Sequence, residues 1–138
     1  MHPLFKPKPK VRRVYVGLDL ETTGVSVFNG DEMTEIGAYA HCTQIPEDRR
    51  QFGTLVTGSK PIPPDIVEKT HITNALRDAQ GVSPHSALVQ SMTWMSRIRA
   101  ESKADELVLI GHNLFCFDLP IVYKLLWEMG LGDIYWFD

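Results

Sequence analysis

Residues 13–24 read RVYVGLDLETTG, a run rich in valine, tyrosine and leucine that ends in a cluster of turn residues. This composition predicts a β-strand over 13–20, at the centre of a sheet. Asp19 and Glu21 flank Leu20, and the two-residue period of a strand puts both carboxylates on one face, about 7 Å apart. Buried like charges repel each other unless a cation compensates them. The strand end is therefore either a divalent-cation site or a pair of solvated acids.

The rest of the chain predicts one α/β domain. Its 138 residues, of which 43% are hydrophobic, suit a single globular unit. The order of elements, three strands first and then helices alternating with strands, predicts a mixed sheet covered by helices. The apolar spacing predicts strands over 33–41, 51–57, 107–111 and 134–137, short helices over 65–69 and 74–80, and long helices over 84–100 and 119–129.

Charge is unevenly distributed along the chain. The net charge is −3, yet residues 1–13 hold five basic side chains and no acid, which leaves nine basic and 17 acidic side chains for residues 14–138. Residues 1–13 are predicted to be a flexible arm, either a solvated tail or a nucleic-acid contact or import signal. The basic residues of the arm are Lys6, Lys8, Lys10, Arg12 and Arg13.

The sequence also argues against several classes of protein. The longest apolar runs are too short for a membrane span or a secretory signal, so we expect an intracellular protein without membrane attachment, in the cytoplasm or the nucleus. Cys42 and Cys116 lie far apart without metal-ligand spacing. They predict neither a disulfide framework nor a zinc site, and both are expected to be small buried residues.

A second polar cluster joins the predicted strand 107–111 to the following helix. Asp118 stands where the N-cap of that helix belongs, with Pro120 in the first turn. Its carboxylate either caps the helix or, together with Asn113, belongs to a site beside the acids of the first strand.

Four short motifs resemble, in order, those of the DEDD family of 3′-to-5′ exonucleases. Residues 19–24 resemble its first motif, and residues 34–38 resemble its ITEIGA strand. Residues 70–73 resemble the short motif that places an apolar wedge against the terminal base pair. Residues 111–113 with 117–118 resemble the second motif, with the spacer seen in the three-prime repair exonucleases. Four motifs in this order are more specific than any one alone.

The resemblance implies a ribonuclease-H-like fold over residues 14–138, a five-stranded mixed sheet flanked by helices. It implies a metal-dependent hydrolase that acts on 3′ ends of nucleic acid, DNA in preference to RNA, and releases nucleoside 5′-monophosphates by in-line displacement. Asp19, Glu21 and Asp118 are the implied catalytic residues and the ligands of two Mg²⁺ or Mn²⁺ ions, and Glu21 is also implied to orient the attacking water. The implied substrate-binding residues are Leu20, Thr22, Thr23, Ile72, His112, Asn113 and Phe117.

The family's third motif, a histidine and an aspartate on a C-terminal helix, has no counterpart in residues 1–138. Three explanations stay open: the chain is a fragment of a longer exonuclease, it is completed by a partner chain or in a homodimer, or it is a catalytically impaired member. The rival function is a non-catalytic nucleic-acid-binding or protein-binding module on the same fold. A third alternative is a phosphotransferase or nuclease of another ribonuclease-H-like type.

Overall fold

A computed structural model describes residues 9–131 of the chain. Three strands come first, followed by helices that alternate with a fourth strand. The strands are β1 (Arg13–Thr22), β2 (Met33–His41), β3 (Gln51–Leu55) and β4 (Glu106–Ile110), and the α-helices are α1 (Pro64–Thr70), α2 (Asn74–Gln80), α3 (Pro84–Glu101) and α4 (Asp118–Glu128). Single 3₁₀ turns lie at Val27–Asn29 and Glu47–Arg49.

The four described strands form one mixed sheet in the order β3-β2-β1-β4. The first three strands are an antiparallel meander, and β4 pairs with β1 in parallel. A helical crossover is the connection that a parallel pair needs, and α3 supplies it. The central strand β1 is therefore paired on both sides as far as Gly17, and it continues five residues beyond the end of β4, to Thr22.

Alternation along β1 divides the sheet into two faces. Val14, Val16, Leu18 and Leu20 are buried, whereas the odd-numbered residues between them are half-buried or exposed. The buried face packs against α3 and α4, whose apolar residues recur at helical spacing. Leu88, Met95 and Ile98 of α3 and Ile121, Val122 and Leu126 of α4 are the main contributors.

Most of the predicted elements are confirmed, with ends that differ by one or two residues. Ser83 caps α3 by accepting from the Ser86 amide, and Pro84 occupies its first turn, as expected. β1 continues two residues beyond the prediction because Glu21 and Thr22 still pair with β2. The predicted strand 134–137 lies outside the described residues.

The structure corrects the expectation for the two cysteines. Cys116 is exposed and Cys42 is half-buried, so the prediction that both are buried was wrong. Cys116 lies in the loop between β4 and α4, next to the exposed Phe115, at the surface of the described part of the chain. Across residues 9–131, no helix has the length and apolar character that a membrane crossing demands.

Candidate active site

Asp19 and Glu21 lie at the carboxyl end of β1, on the less buried face of the sheet. Asp19 is exposed and Glu21 is half-buried, while Leu20 between them points into the core with 4% of its surface exposed. The predicted placement of both carboxylates on one face is therefore found in the structure. The pairing of β1 with β2 is shifted between Glu21 and Thr22, which ends the regular strand directly after the second acid.

Asp118 reaches the same strand from the other end of the sequence. It is the first residue of α4 and is only 1% exposed, and its Oδ1 accepts a hydrogen bond of 3.0 Å from the backbone N–H of Leu20. Of the two alternatives for Asp118, the N-cap was wrong, and the place beside the acids of the first strand is found. Phe117 occupies that position, and α4 has no side-chain cap because phenylalanine offers no acceptor. The Asp118 carboxylate is turned towards β1.

Gly111 allows this approach of the two segments. A Cβ atom at position 111 would lie 2.9 Å from the carbonyl oxygen of Leu18 and 3.0 Å from Cδ1 of Leu114. Only a residue without a side chain lets the chain pass β1 this closely. Asn113 then adopts a left-handed conformation, with φ of 59°, which turns the chain back towards α4.

A fourth carboxylate belongs to this cluster. Glu35 of β2 is the cross-strand partner of Glu21, so the two side chains project from the same face of the sheet. Sequence reasoning missed Glu35 as a site residue, because its proximity to Glu21 depends on the strand register. The available signals were the single acid in the mainly apolar stretch 33–40 and its place within residues 34–38, which resemble a family motif.

The four acids affect one another electrostatically. Partial burial raises the pKa of Glu21, and the charges of Asp19, Glu35 and Asp118 raise it further. Burial and the charge of Asp19 also raise the pKa of Glu35. Burial raises the pKa of Asp118 as well, although the hydrogen bond from Leu20 acts in the opposite direction. The cluster is therefore a place where negative charge is uncompensated.

The donor chemistry of Asp19, Glu21 and Asp118 suits hard divalent cations, because carboxylate oxygens are the preferred ligands of Mg²⁺ and Mn²⁺. A cation here would offset the burial and the like-charge repulsion that raise the pKa values of Glu21 and Asp118. In the conformation described for residues 9–131, no three Asp, Glu, His or Cys side chains converge as closely as a metal ion needs.

The predicted substrate-binding residues are divided between surface and interior. His112 and Asn113 are exposed and Phe117 is half-buried, all in the loop that precedes Asp118. Thr22 and Thr23 are buried and hold the end of β1, Thr22 through the carbonyl of Gly24 and Thr23 through Asp31 and the backbone of Glu32.

Ile72 lies between α1 and α2 and is only 4% exposed. Its role as a wedge against a terminal base stays a prediction, and it requires the side chain to become accessible.

A polar network connects the end of β1 to α2. The carboxylate of Glu32 accepts hydrogen bonds from the Ser59 amide and hydroxyl and from the Lys60 amide. Arg77 of α2 lies 4.0 Å from that carboxylate and donates to the carbonyl of Gly58. Arg77 is 3% exposed, and its Nε and Nη1 have no acceptor in the described part of the chain. Such a buried cation was not predicted, because arginine in a short helix ordinarily lies on the surface.

Comparison with known proteins gives one family and one fold. Residues 16–132 match the model of the RNase_T family, which is described as exonuclease. A product-bound structure of exonuclease I matches with a TM-score of 0.71 and 15% identity, over 91% of this chain and 28% of that chain. E. coli exonuclease I in complex with a dT13 oligonucleotide matches with a TM-score of 0.63 and 17% identity, over 91% and 26%.

The complex named ExoI/SSB-Ct matches with the same TM-score, identity and coverage as the dT13 complex. This chain thus spans about a quarter of the length of these structures. A comparison with curated protein sequences gives no significant match.

Proposed function

Because the chain belongs to the RNase_T exonuclease family, we propose that it is a metal-dependent exonuclease that removes nucleotides from the 3′ end of a nucleic acid strand. The observation that carries the proposal is the hydrogen bond between Asp118 and the backbone of Leu20. It brings the acid of the second motif to the strand that carries both acids of the first motif. The mixed α/β fold, shared with exonuclease I, supports the same conclusion.

In this proposal Asp19, Glu21 and Asp118 hold two Mg²⁺ or Mn²⁺ ions. When bound, such ions polarise the phosphoryl oxygen and stabilise charge on the attacking and leaving oxygens. Leu20 fixes the orientation of the Asp118 carboxylate through its amide, and Glu21 orients the attacking water. Because the Asp118 side chain is buried, it cannot reorient freely, and the hydrogen bond from Leu20 sets the direction of its carboxylate.

The exposed loop before α4 supplies the contacts to the terminal nucleotide. His112 and Asn113 offer polar groups, and Phe117 offers an aromatic face on which a base can stack. We propose single-stranded DNA as the first substrate, since exonuclease I has been solved with a dT13 oligonucleotide. Cleavage releases nucleoside 5′-monophosphates, and the site of action is the cytoplasm or the nucleus, where such substrates occur.

The test uses the 138-residue chain with single-stranded DNA and RNA labelled at the 3′ or the 5′ end, in Mn²⁺ or EDTA. We expect Mn²⁺-dependent release of labelled mononucleotide from 3′ ends and none from a circular substrate. Asp19→Ala should abolish release. The matched control is Asp48→Ala, which removes an exposed acid from the 3₁₀ turn Glu47–Arg49 and should leave release unchanged.

If nucleic acid binds but no nucleotide is released under any condition, the chain alone is not a nuclease. That outcome favours the binding-module alternative or completion by a partner chain or second copy. Light scattering of the same sample, alone and with nucleic acid, measures whether the chain is a monomer or a dimer.

A further inference from the structure

Phe115 is the most exposed aromatic side chain within residues 9–131, with 83% of its surface open to solvent. It lies in the loop between β4 and α4, three residues before Asp118. A phenylalanine that stays in water forgoes the free energy that its burial would supply. Isolated apolar side chains are nevertheless common on protein surfaces, so the significance of Phe115 depends on where its loop is held.

The loop is held against β1 at both ends, on either side of Asp19. At its start, Gly111 passes so close that an added Cβ atom would lie 2.9 Å from the carbonyl oxygen of Leu18. At its end, the carboxylate of Asp118 accepts a hydrogen bond of 3.0 Å from the amide of Leu20. Leu18 and Leu20 are the two neighbours of Asp19 in the strand. The loop is therefore fixed beside the acidic site.

The length of the chain limits how far Phe115 can lie from the acids. Three peptide units join Phe115 to Asp118, so their Cα atoms are at most about 11 Å apart, at about 3.8 Å per residue. The loop is not extended, because the amides of Cys116 and Phe117 both donate to the carbonyl of Asn113. Stacked nucleotides follow one another at about 3.4 Å, so the ring is within reach of the last three nucleotides of a strand that ends at the acids.

The neighbours of Phe115 restrict its backbone and leave its ring free. Leu114 is buried in the core, and its carbonyl accepts a hydrogen bond of 2.9 Å from the amide of Leu119. Phe117 is half-buried and packs against the core. Phe115 stands between these two anchored side chains and is itself in solvent. A side chain on a fixed backbone loses little conformational freedom when a ligand stacks on it.

We propose that Phe115 is the stacking platform for a base among the last three nucleotides of the bound strand. This inference rests on the proposed function, to which it adds a residue that positions the substrate. Carboxylates with bound cations suit the phosphates of a strand, whereas an aromatic ring suits the uncharged face of a base. Because every base has a π-face, this contact positions the strand without selecting a sequence.

The experiment measures binding of a fluorescent single-stranded DNA of 12 nucleotides in Mn²⁺. A carbon atom replaces the bridging 3′ oxygen of the last three linkages, so that cations are present but the terminal bonds are not hydrolysed. Phe115→Ala should bind at least about fivefold more weakly than the wild type, and Phe115→Tyr should bind almost as well as the wild type. The matched control is Trp127→Ala, which removes an exposed aromatic side chain at the far end of α4 and should leave binding unchanged.

Abasic nucleotides distinguish a base contact from a structural effect of the substitution. An abasic nucleotide is placed in turn at each of the last three positions and at the eighth position from the 3′ end. At one of the last three positions it should weaken binding to the wild type and remove the difference between the wild type and Phe115→Ala. At the eighth position the difference should persist. Urea unfolding should give Phe115→Ala the stability of the wild type, because the side chain is exposed.

Equal binding by the wild type and Phe115→Ala would overturn the proposal, as would a loss of binding that no abasic position removes. Absence of binding by the wild type would overturn it too. Light scattering tests whether the ring instead contacts a second copy of the chain. A wild-type dimer that becomes a monomer in Phe115→Ala, with no dependence on the abasic position, would assign Phe115 to that interface and contradict the base contact.

Cleavage of an ordinary DNA of the same length in Mn²⁺ is measured separately. Its absence in the wild type contradicts the proposed nuclease function, whereas the binding comparison still decides the role of Phe115.

Discussion

The carboxylate of Asp118 accepts a hydrogen bond from the backbone N–H of Leu20, across 98 residues of sequence. This bond connects the start of α4 to the end of β1 and fixes the distance between the acids of two separate motifs. The Asp118 carboxylate is thus proposed to have two roles: it connects α4 to β1, and it binds the metal ions. The two roles can be separated by substitutions that keep the acceptor but remove the charge.

Asp118→Asn tests this separation. The amide oxygen of asparagine can still accept from Leu20, so we expect little change in the free energy of unfolding. Nuclease activity should fall at least about 100-fold, since several kcal/mol of charge stabilisation are lost with the metal ligand. Asp118→Ala is the control and should lose both activity and stability. Equal activity of Asp118→Asn and the wild type would contradict a ligand role for Asp118.

Glu35→Gln removes one of two carboxylates that face each other on neighbouring strands. Like charges opposite each other destabilise a sheet, so in EDTA this variant should be more stable than the wild type, by roughly 0.2–1 kcal/mol. The increase in melting temperature on adding Mn²⁺ should be smaller, because less repulsion is left for a cation to relieve. Glu47→Gln, an exposed acid in a 3₁₀ turn, should change neither quantity.

Glu32 and Arg77 should show strong energetic coupling. Glu32→Ala leaves the 3% exposed Arg77 without its nearby counter-charge, and we expect a loss of about 3 kcal/mol or more in the free energy of unfolding. Arg77→Met should cost less, because Glu32 is partly exposed and keeps its hydrogen bonds to Ser59 and Lys60. In the double variant the losses should be less than additive, as urea unfolding would measure. Strict additivity would exclude the coupling.

Stability at acid pH should depend on Glu32. Burial alone would raise its pKa, but the hydrogen bonds from Lys60 and Ser59 and the charge of Arg77 hold the pKa below its usual value. The stability it contributes is therefore complete above the ordinary glutamate value of about 4.3 and is lost as the pH falls through the lowered pKa.

Urea unfolding between pH 3 and pH 7 measures this contribution. The difference in stability between wild type and Glu32→Gln should shrink as the pH falls. A difference that stays constant with pH would contradict the assignment to this carboxylate. Asp31, whose pKa is lowered by Lys60, remains in both proteins and does not affect the comparison.

Gly111→Ala should disturb the site without altering any polar side chain. The new Cβ meets the Leu18 carbonyl at 2.9 Å, which the backbone must relieve by moving. We expect a loss of about 1–3 kcal/mol in stability and a fall in activity, because the loop to Asp118 moves with it. Gly53→Ala, in a strand position with nothing within 4 Å of the added atom, is the matched control. Similar losses for both would show that replacing a glycine as such, and not the close approach to Leu18, is the cause.

Residues that depend on local periodicity were predicted well from the sequence. Asp19 and Glu21 share a face because alternation along β1 requires it, and the cap of α3 follows from Ser83 and Pro84. Where tertiary contacts decide, the sequence alone was weaker: Asp118 was placed beside Asp19 and Glu21 only as one of two alternatives and through the family resemblance, and Glu35 was missed. The proximity of Glu35 to Glu21 follows from the β1–β2 register, and the orientation of Asp118 follows from the passage of Gly111 past Leu18. Neither the strand register nor this close passage can be deduced from the local sequence.

The hydrogen bonding of β1 on both sides also has an evolutionary consequence. The acids Asp19 and Glu21 stand on the central strand, which pairs with β2 along its length and with β4 as far as Gly17, whereas His112, Asn113 and the turn at His71 lie in surface loops. Mutations in these loops can change which nucleic acid is accepted at little cost in folding. Descendants of such a chain can therefore diversify in substrate while they inherit the same hydrolytic chemistry.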